Sequence, residues 1–172
     1  IHGCLVGSEM CIRDRSNEQI IDIIKENKIK KNTVIVDLTS SLPDLTKKIS
    51  SYLEKYEAYY IDAGMSGGAS GATNGTLTLM LGGSKTICKK IDYILKTFAK
   101  NIFYLGKSGN GHMMKLLHNS VCHSIFLINC EILNIAKSYG INDIDVIDVF
   151  NKSNARSYIC LLYTSDAADE WI

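Results

Sequence analysis

Lys115 and Asn119 stand four residues apart in the stretch GNGHMMKLLHN, residues 109–119. On a helix that spacing puts both side chains on one face, where an ammonium and a carboxamide can address the same small polar molecule. A lysine near the start of a long apolar helix is expected to be partly buried, which costs free energy unless it has a role or a partner. Gly109 and Gly111 let backbone approach a ligand closely, and the helix start behind them offers unpaired N–H groups. The same residues also fit a capped helix with a solvated polar face. His112 and His118 flank Lys115 three residues to either side. No carboxylate or cysteine completes a metal set around them and no HExxH pattern occurs, so no metal is expected. Both are expected to support the site through hydrogen bonds, and His123 to be structural.

A second cluster, GMSGGASGATNG at residues 64–75, is dense in glycine. Successive N–H groups around Ser66, Gly67 and Gly68 could form a nest for a carboxylate or phosphate, the competing reading being a flexible connection. Gly83-Ser84-Lys85-Thr86 resembles the end of a P-loop, but the spacing GxxxxGK[ST] is not met.

These groups need a scaffold, and the apolar periodicities supply one. Ser16 with Gln19 forms a capping box ahead of a helix with Ile20, Ile21, Ile23 and Ile24 on its apolar side. A turn at 30–32 leads to a buried strand at 33–36, closed by residues 37–41, and Pro43-Asp44 opens a helix to about residue 56. A strand at 59–61 is expected to end at Asp62, and another covers 76–81. A helix follows over 84–100, then a strand at 102–105. Strand, helix, strand is the unit of a doubly wound sheet, whose ligands gather beyond the carboxyl ends of strands. Thr39-Ser40 and the loop after Asp62 lie at such ends. From residue 109 to 139 a long helix carries Val121, Ile125, Ile128, Ile132 and Ile135 and stops at Gly140, a C′ glycine. It spans roughly 40 Å and reads as a buried interdomain helix. Asn129, Glu131 and Asn134 interrupt it, so it is expected to fall short of a bilayer-crossing stretch.

With 172 residues, 46% of them hydrophobic, the chain can bury one sizeable core. A net charge of +1 gives no reason to invoke nucleic acid or an anionic membrane as partner. Six cysteines without a CxxC imply neither a zinc site nor a disulfide framework. Cys88, Cys122 and Cys130 fall in helical patterns and read as reduced core residues of a cytoplasmic protein.

The ends differ from the middle. Residues 4–15, CLVGSEMCIRDR, and 160–170, CLLYTSDAADE, share no helical or strand period with what they flank. Met10-Cys11-Ile12-Arg13-Asp14 can be encoded ATG TGT ATA AGA GAC. The reverse complement of that string lies, shifted in frame, inside TGT CTC TTA TAC ACA TCT, which encodes Cys160-Leu161-Leu162-Tyr163-Thr164-Ser165. The two tails can be one DNA sequence read on opposite strands, and they resemble translated library-preparation adapter. Residues 1–15 and 160–172 are therefore expected to be adapter-derived. The natural segment would run over 16–159, divided into a strand-and-helix part at 16–108 and a helical part at 109–159.

Three motifs in order carry a family likeness: Asp62-Ala63-Gly64-Met65-Ser66-Gly67-Gly68, then GTLTLMLGG at 75–83, then Gly109-Asn110-Gly111 with Lys115 and Asn119. The chain resembles the β-hydroxyacid dehydrogenases, the 3-hydroxyisobutyrate dehydrogenase-like oxidoreductases, over nearly all of 34–159. The resemblance implies an α/β fold: the later part of a Rossmann-like doubly wound sheet running into a long interdomain helix and an all-α domain used in dimerisation. It implies that Ser66, Gly67 and Gly68 hold a substrate carboxylate, that Lys115 is the catalytic acid/base and that Asn119 positions the substrate hydroxyl. It implies NAD or NADP as cofactor, with Thr39 and Ser40 near the nicotinamide end, and a small hydroxyacid substrate. Two departures stand out. No GxGxxG fingerprint occurs in the 172 residues, so this fragment itself is expected to be inactive. His112 with His118-Asn119 is similar to the GHxxKxxHN stretch of 6-phosphogluconate dehydrogenases, which makes an oxidative decarboxylase the alternative. A non-catalytic remnant with a structural or interaction role is a third reading.

Overall fold

The computed structural model describes residues 5–6, 9–12, 21–22 and 29–156. Two compact units divide the chain, Ile1–Leu117 and His118–Ile172. The capping box at Ser16 and Gln19 and the tail from residue 160 lie outside the described residues.

The first unit is built on one six-stranded sheet whose strands stand in chain order. They are β1 (Leu5–Val6), β2 (Glu9–Ile12), β3 (Val34–Asp37), β4 (Tyr59–Ser66), β5 (Leu77–Gly82) and β6 (Ala99–Tyr104). Helix α1 (Pro43–Glu54) joins β3 to β4, the short α2 (Gly68–Thr73) joins β4 to β5, and α3 (Lys85–Leu95) joins β5 to β6. β2, β3 and β4 run parallel, as do β5 and β6, while β1 with β2 and β4 with β5 are antiparallel.

Side chains alternate across a strand, and the sequence uses both faces. Val34, Val36, Ile61, Ala63, Leu79 and Leu81 pack with Ile87, Cys88, Ile91 and Leu95 of α3. Ile35 and Tyr60 point the other way and pack with Ile49 and Leu53 of α1. The i, i+4 spacing of Ile49 and Leu53, and of Ile87, Ile91 and Leu95, gives each helix one apolar stripe. Each fully buried aliphatic side chain contributes roughly 1.5–3 kcal/mol. Pro43 opens α1 at a position where its missing N–H has no partner to lose. Burial pushes the Cys88 thiol up to about 11.

Several boundaries differ from the sequence reading. β4 does not end at Asp62 but continues to Ser66, pairing from Asp62↔Gly82 to Ser66↔Thr78 with β5. Gly64 and Ser66 are poor strand formers, and long-range pairing overrides that preference. What reads as one loop over 64–75 is the end of β4 followed by α2. α3 stops at Leu95, and β6 starts earlier than expected, at Ala99. Residues 4–15 show no regular period in sequence. Glu9–Ile12 nevertheless pairs with Val34–Asp37 along the edge of β3.

Helix α4 (Asn110–Ser138) gives its first turns to the sheet-bearing unit and the rest to the second unit, where α5 (Asp143–Asn151) follows. The division falls inside α4. Gly140, with φ of 75°, ends α4 in a Schellman arrangement: its N–H bonds the Lys137 carbonyl at 3.0 Å and the Ile141 N–H the Ala136 carbonyl at 3.0 Å. Asn142 caps α5 through its side chain, accepting from the Ile144 N–H at 3.0 Å, and Asp143 and Asp145 complement the helix dipole. Two expectations fail here. Phe126, Leu127 and Ile135 are 50%, 63% and 60% exposed, so much of the apolar surface of α4 is uncovered. By length and composition α4 is also apolar enough to cross a membrane, despite Asn129, Glu131 and Asn134, a test that core helices of soluble proteins pass too. Cys130 is exposed and Cys122 half-buried, which leaves Cys88 as the buried one of these three.

The β2–β3 ladder gives the N-terminal tail a place in the sheet, whatever its origin. A chain beginning at Ser16 should therefore lose a few degrees of thermal midpoint, roughly what about 1 kcal/mol is worth at this size. Removing residues 160–172 should leave the midpoint unchanged. An unchanged midpoint after N-terminal trimming would make the strand a passenger on the β3 edge.

Candidate active site

β3 and β4 lie side by side with Asp37 opposite Asp62, and both carboxylates are fully buried. A buried carboxylate is costly unless hydrogen-bonded. Asp37 Oδ1 accepts from the Thr39 N–H at 2.9 Å, and its Oδ2 accepts from the Tyr60 hydroxyl. Burial, then the charge of Asp37, pushes the Tyr60 phenol up, which keeps it a donor. Asp62 Oδ1 accepts from the Gly109 N–H at 2.9 Å and Oδ2 from the His112 N–H at 3.0 Å. Those N–H groups belong to the start of α4, where no intrahelical acceptor exists. A strand carboxylate thus fills the role of an N-cap from across the fold, and its charge complements the helix dipole.

Three glycines make that approach possible. A Cβ on Gly111 would run into the Met80 carbonyl oxygen and come within 2.6 Å of the Asp62 carbonyl oxygen and 2.8 Å of the Gly82 nitrogen. One on Gly82 would sit 2.6 Å from Asp62 Oδ2 and 2.8 Å from the Gly111 nitrogen. One on Gly64 would sit 2.6 Å from Lys115 Cβ. Gly111 therefore serves contact between helix and sheet backbones, where the sequence suggested approach to a ligand.

Lys115 is half-buried, its stem lying over Gly64 of β4. Two residues further along that strand is Ser66, also half-buried, and then Gly67 and Gly68, exposed and with φ of 128° and 60°. Only glycine takes such angles readily, and the pair turns the chain from β4 into α2. Thr39 and Ser40 follow the carboxyl end of β3, Thr39 half-buried with its N–H fixed by Asp37 and Ser40 exposed. The first unit thus sets Thr39, Ser40, Ser66, Gly67, Gly68 and Lys115 beyond or beside the carboxyl-terminal reaches of two parallel strands, where such sheets take ligands. Asn119 falls in the second unit, where its Oδ1 is 3.3 Å from His118 Nδ1 and Cys122 Sγ is 3.8 Å from His118 Nε2. His112 is buried with Nδ1 2.7 Å from Thr46 Oγ1, the supporting role expected of it, whereas His123 is exposed.

The sequence reading missed Asp62, Asp37, Tyr60 and Thr46. A signal was present: VIVD and YYID each end an apolar run with an aspartate, and an acid continuing a buried face needs a partner.

A mixed sheet with helices on both faces and polar residues beyond its parallel strand ends is a dinucleotide-binding architecture. The family described as the NAD binding domain of 6-phosphogluconate dehydrogenase matches residues 10–106, and the chain belongs to it, among the β-hydroxyacid dehydrogenases. Over 135 residues the chain is 33% identical to 2-(hydroxymethyl)glutarate dehydrogenase of Eubacterium barkeri, covering 75% of this chain and 43% of that protein. It is 28% identical over 160 residues to the mitochondrial 3-hydroxyisobutyrate dehydrogenase of Drosophila melanogaster, covering 91% and 49%. The solved structure of Mycobacterium tuberculosis 3-hydroxyisobutyrate dehydrogenase with L-serine superposes with a TM-score of 0.82 at 20% identity, covering 88% of this chain and 53% of that one, a likeness of fold. The chain spans less than half the length of the two curated relatives.

Gly111→Ala should destabilise the chain by about 3 kcal/mol or more, because backbone atoms crowd the new methyl and cannot give way. Asp62→Ala should cost about 1–3 kcal/mol for each of the two buried N–H groups it orphans. Denaturant midpoints measure both, and losses under about 1 kcal/mol would show that the start of α4 is not held this way.

Proposed function

We propose that the chain is part of an NAD(P)-dependent oxidoreductase that moves hydride between the carbinol carbon of a β-hydroxyacid and the nicotinamide. The half-buried Lys115, stem against Gly64 and next to the strand that leads to Ser66, carries this reading. Lys115 takes the hydroxyl proton of the alcohol as hydride leaves its carbon, and returns a proton in the reverse direction. Ser66, Gly67 and Gly68 offer donors to the substrate carboxylate, which fixes the carbinol carbon relative to the lysine. Asn119, one helical turn after Lys115 in sequence, is assigned the substrate hydroxyl from its place in the motif.

The cofactor, when bound, supplies a two-electron hydride acceptor. Of the residues that would hold it, the nicotinamide-side segment fits: Asp37 anchors Thr39 and leaves Ser40 open at the strand end. The pyrophosphate needs a glycine-rich βα turn, and none of the form GxGxxG occurs in these 172 residues, so this chain by itself should not turn over. The complete protein self-associates through its helical domain and works in a reducing compartment that keeps Cys88, Cys122 and Cys130 as thiols.

A second reading has an observation of its own. GHMMKLLHN, with His112 and His118, follows the pattern of 6-phosphogluconate dehydrogenases, in which the same hydride step is followed by decarboxylation of a phosphorylated sugar acid. Following cofactor reduction with a panel of β-hydroxyacids and with 6-phosphogluconate separates the two, reduction by 6-phosphogluconate alone deciding for the second.

In the complete protein Lys115→Met keeps the apolar stem and deletes the proton carrier. Turnover should fall by at least about 10²-fold with a smaller change in apparent affinity. Asn119→Ala should lose less, since it removes orientation and a hydrogen bond of about 0.5–1.5 kcal/mol. Near-normal turnover in Lys115→Met, with Asn119→Ala inactive, would make Lys115 a structural lysine and end this reading.

A further inference from the structure

Beneath the first turn of α4 meet five side chains that the proposed chemistry does not use. They are Asp37, Thr46, Tyr60, Asp62 and His112, each at most 3% exposed, and they come from β3, α1, β4 and α4. His112 is held on three sides. Its N–H goes to Asp62, its Nδ1 lies 2.7 Å from Thr46 Oγ1, and its Nε2 lies 3.9 Å from Asp37 Oδ2. That Nε2 is buried and makes no hydrogen bond.

Hydrogen accounting narrows what Nε2 carries. Thr46 Oγ1 has one hydrogen and two acceptors in reach, the Leu42 carbonyl at 3.2 Å and His112 Nδ1 at 2.7 Å. Given to Nδ1, the nearer of the two, it leaves the one hydrogen of a neutral ring on Nε2, facing Asp37. Given to Leu42, it leaves Nε2 a bare lone pair buried against a carboxylate, both repelled and unsatisfied. The geometry therefore favours the tautomer with Nε2–H. Asp62 accepts the backbone N–H of His112, and Tyr60 donates to Asp37.

We propose that His112 is a positioning residue whose Nε2–H, directed at Asp37, ties the segment bearing Thr39 and Ser40 to the helix turn bearing Lys115. Asp37 is the link on one side, since the same carboxylate holds the Thr39 N–H. On the other side Lys115 follows His112 by three residues, about one helical turn along the same α4. The ring therefore keeps the group proposed to meet the substrate hydroxyl in register with the segment proposed to meet the nicotinamide. The purpose assigned to this tie rests on the reading of Lys115 as proton carrier; the tie itself does not.

The 172-residue chain suffices for the test. Asparagine sets its amide where Nδ1 sits and glutamine where Nε2 sits, so His112→Gln keeps a donor facing Asp37 and His112→Asn keeps only the Thr46 partner. Long-range ¹H–¹⁵N NMR reads the hydrogen on each ring nitrogen in the unsubstituted chain. Peptide-resolved mass spectrometry reads the acylation rate of Lys115 from about pH 6 to 10, the range over which an amine gains reactivity. Expected are a hydrogen on Nε2, a Lys115 rate displaced by about twofold or more in His112→Asn, the low end of coupling within one hydrogen-bonded network, and a return toward the unsubstituted profile in His112→Gln. A bare Nε2, equal displacement in both variants, or displacement in neither overturns the proposal. The NMR measurement needs no substitution and decides even where His112→Asn fails to fold. Failure of the Lys115 reading shows separately, as retained turnover of Lys115→Met in the complete protein, and leaves both of these readouts unmoved.

Discussion

The buried carboxylate of Asp62 is the constraint on which the rest of the site depends. It sits mid-strand among Ile61 and Ala63, fully out of water, and its two oxygens take the two N–H groups that open α4. Without it a helix start would be buried against a sheet with its donors unsatisfied, an arrangement that folded chains avoid. With it the first turn of α4 can lie flat on β4 and β5. The demand then passes to the backbone: Gly64, Gly82 and Gly111 have to lack side chains, because each stands where the opposing element's atoms already are. One charged interaction thereby explains three glycines in three motifs far apart in the sequence.

The layers of the fold were legible because they rest on periodicity. VIV and YYI alternate between two cores, and the stripes of α1 and α3 match the faces they cover. The extent of β4 was not legible. Its later half is Gly64, Met65 and Ser66, whose local preference is weak, and only the antiparallel partner at 77–82 makes them a strand. The exposure of α4 was also hidden. An apolar periodicity states that a face can be covered and is silent on whether the covering element lies within the same 172 residues.

For the site, sequence spacing singled out the candidate groups and missed the carboxylates buried beneath them. Lys115 could be picked out by its place after a glycine-rich turn, and the structure sets its stem against Gly64. Asp37 and Asp62 escaped notice because an aspartate after a short apolar run reads as a strand terminator, a role that Asp37 fills and Asp62 does not. Telling them apart requires knowing that Gly109 and His112 lie above Asp62, contacts separated by 47 and 50 residues.

The burial of His112 also bears on the substrate question. Two histidines lean the motif toward the 6-phosphogluconate dehydrogenase pattern, yet a ring with no exposed surface, wedged between Thr46 and Asp37, has no face left for a substrate. Its presence follows from how α4 meets the sheet. Under the proposed function, the choice between a simple β-hydroxyacid and a phosphorylated sugar acid then narrows to His118. That side chain is half-buried and engaged with Asn119 and Cys122 on its own helix. An imidazole beside the residue assigned to the substrate hydroxyl can donate to an additional oxygen of a polyhydroxylated acid, whereas a small branched hydroxyacid offers it none. Discrimination between the two substrate classes should then reside in position 118 far more than in position 112, although the two histidines are equivalent by spacing from Lys115.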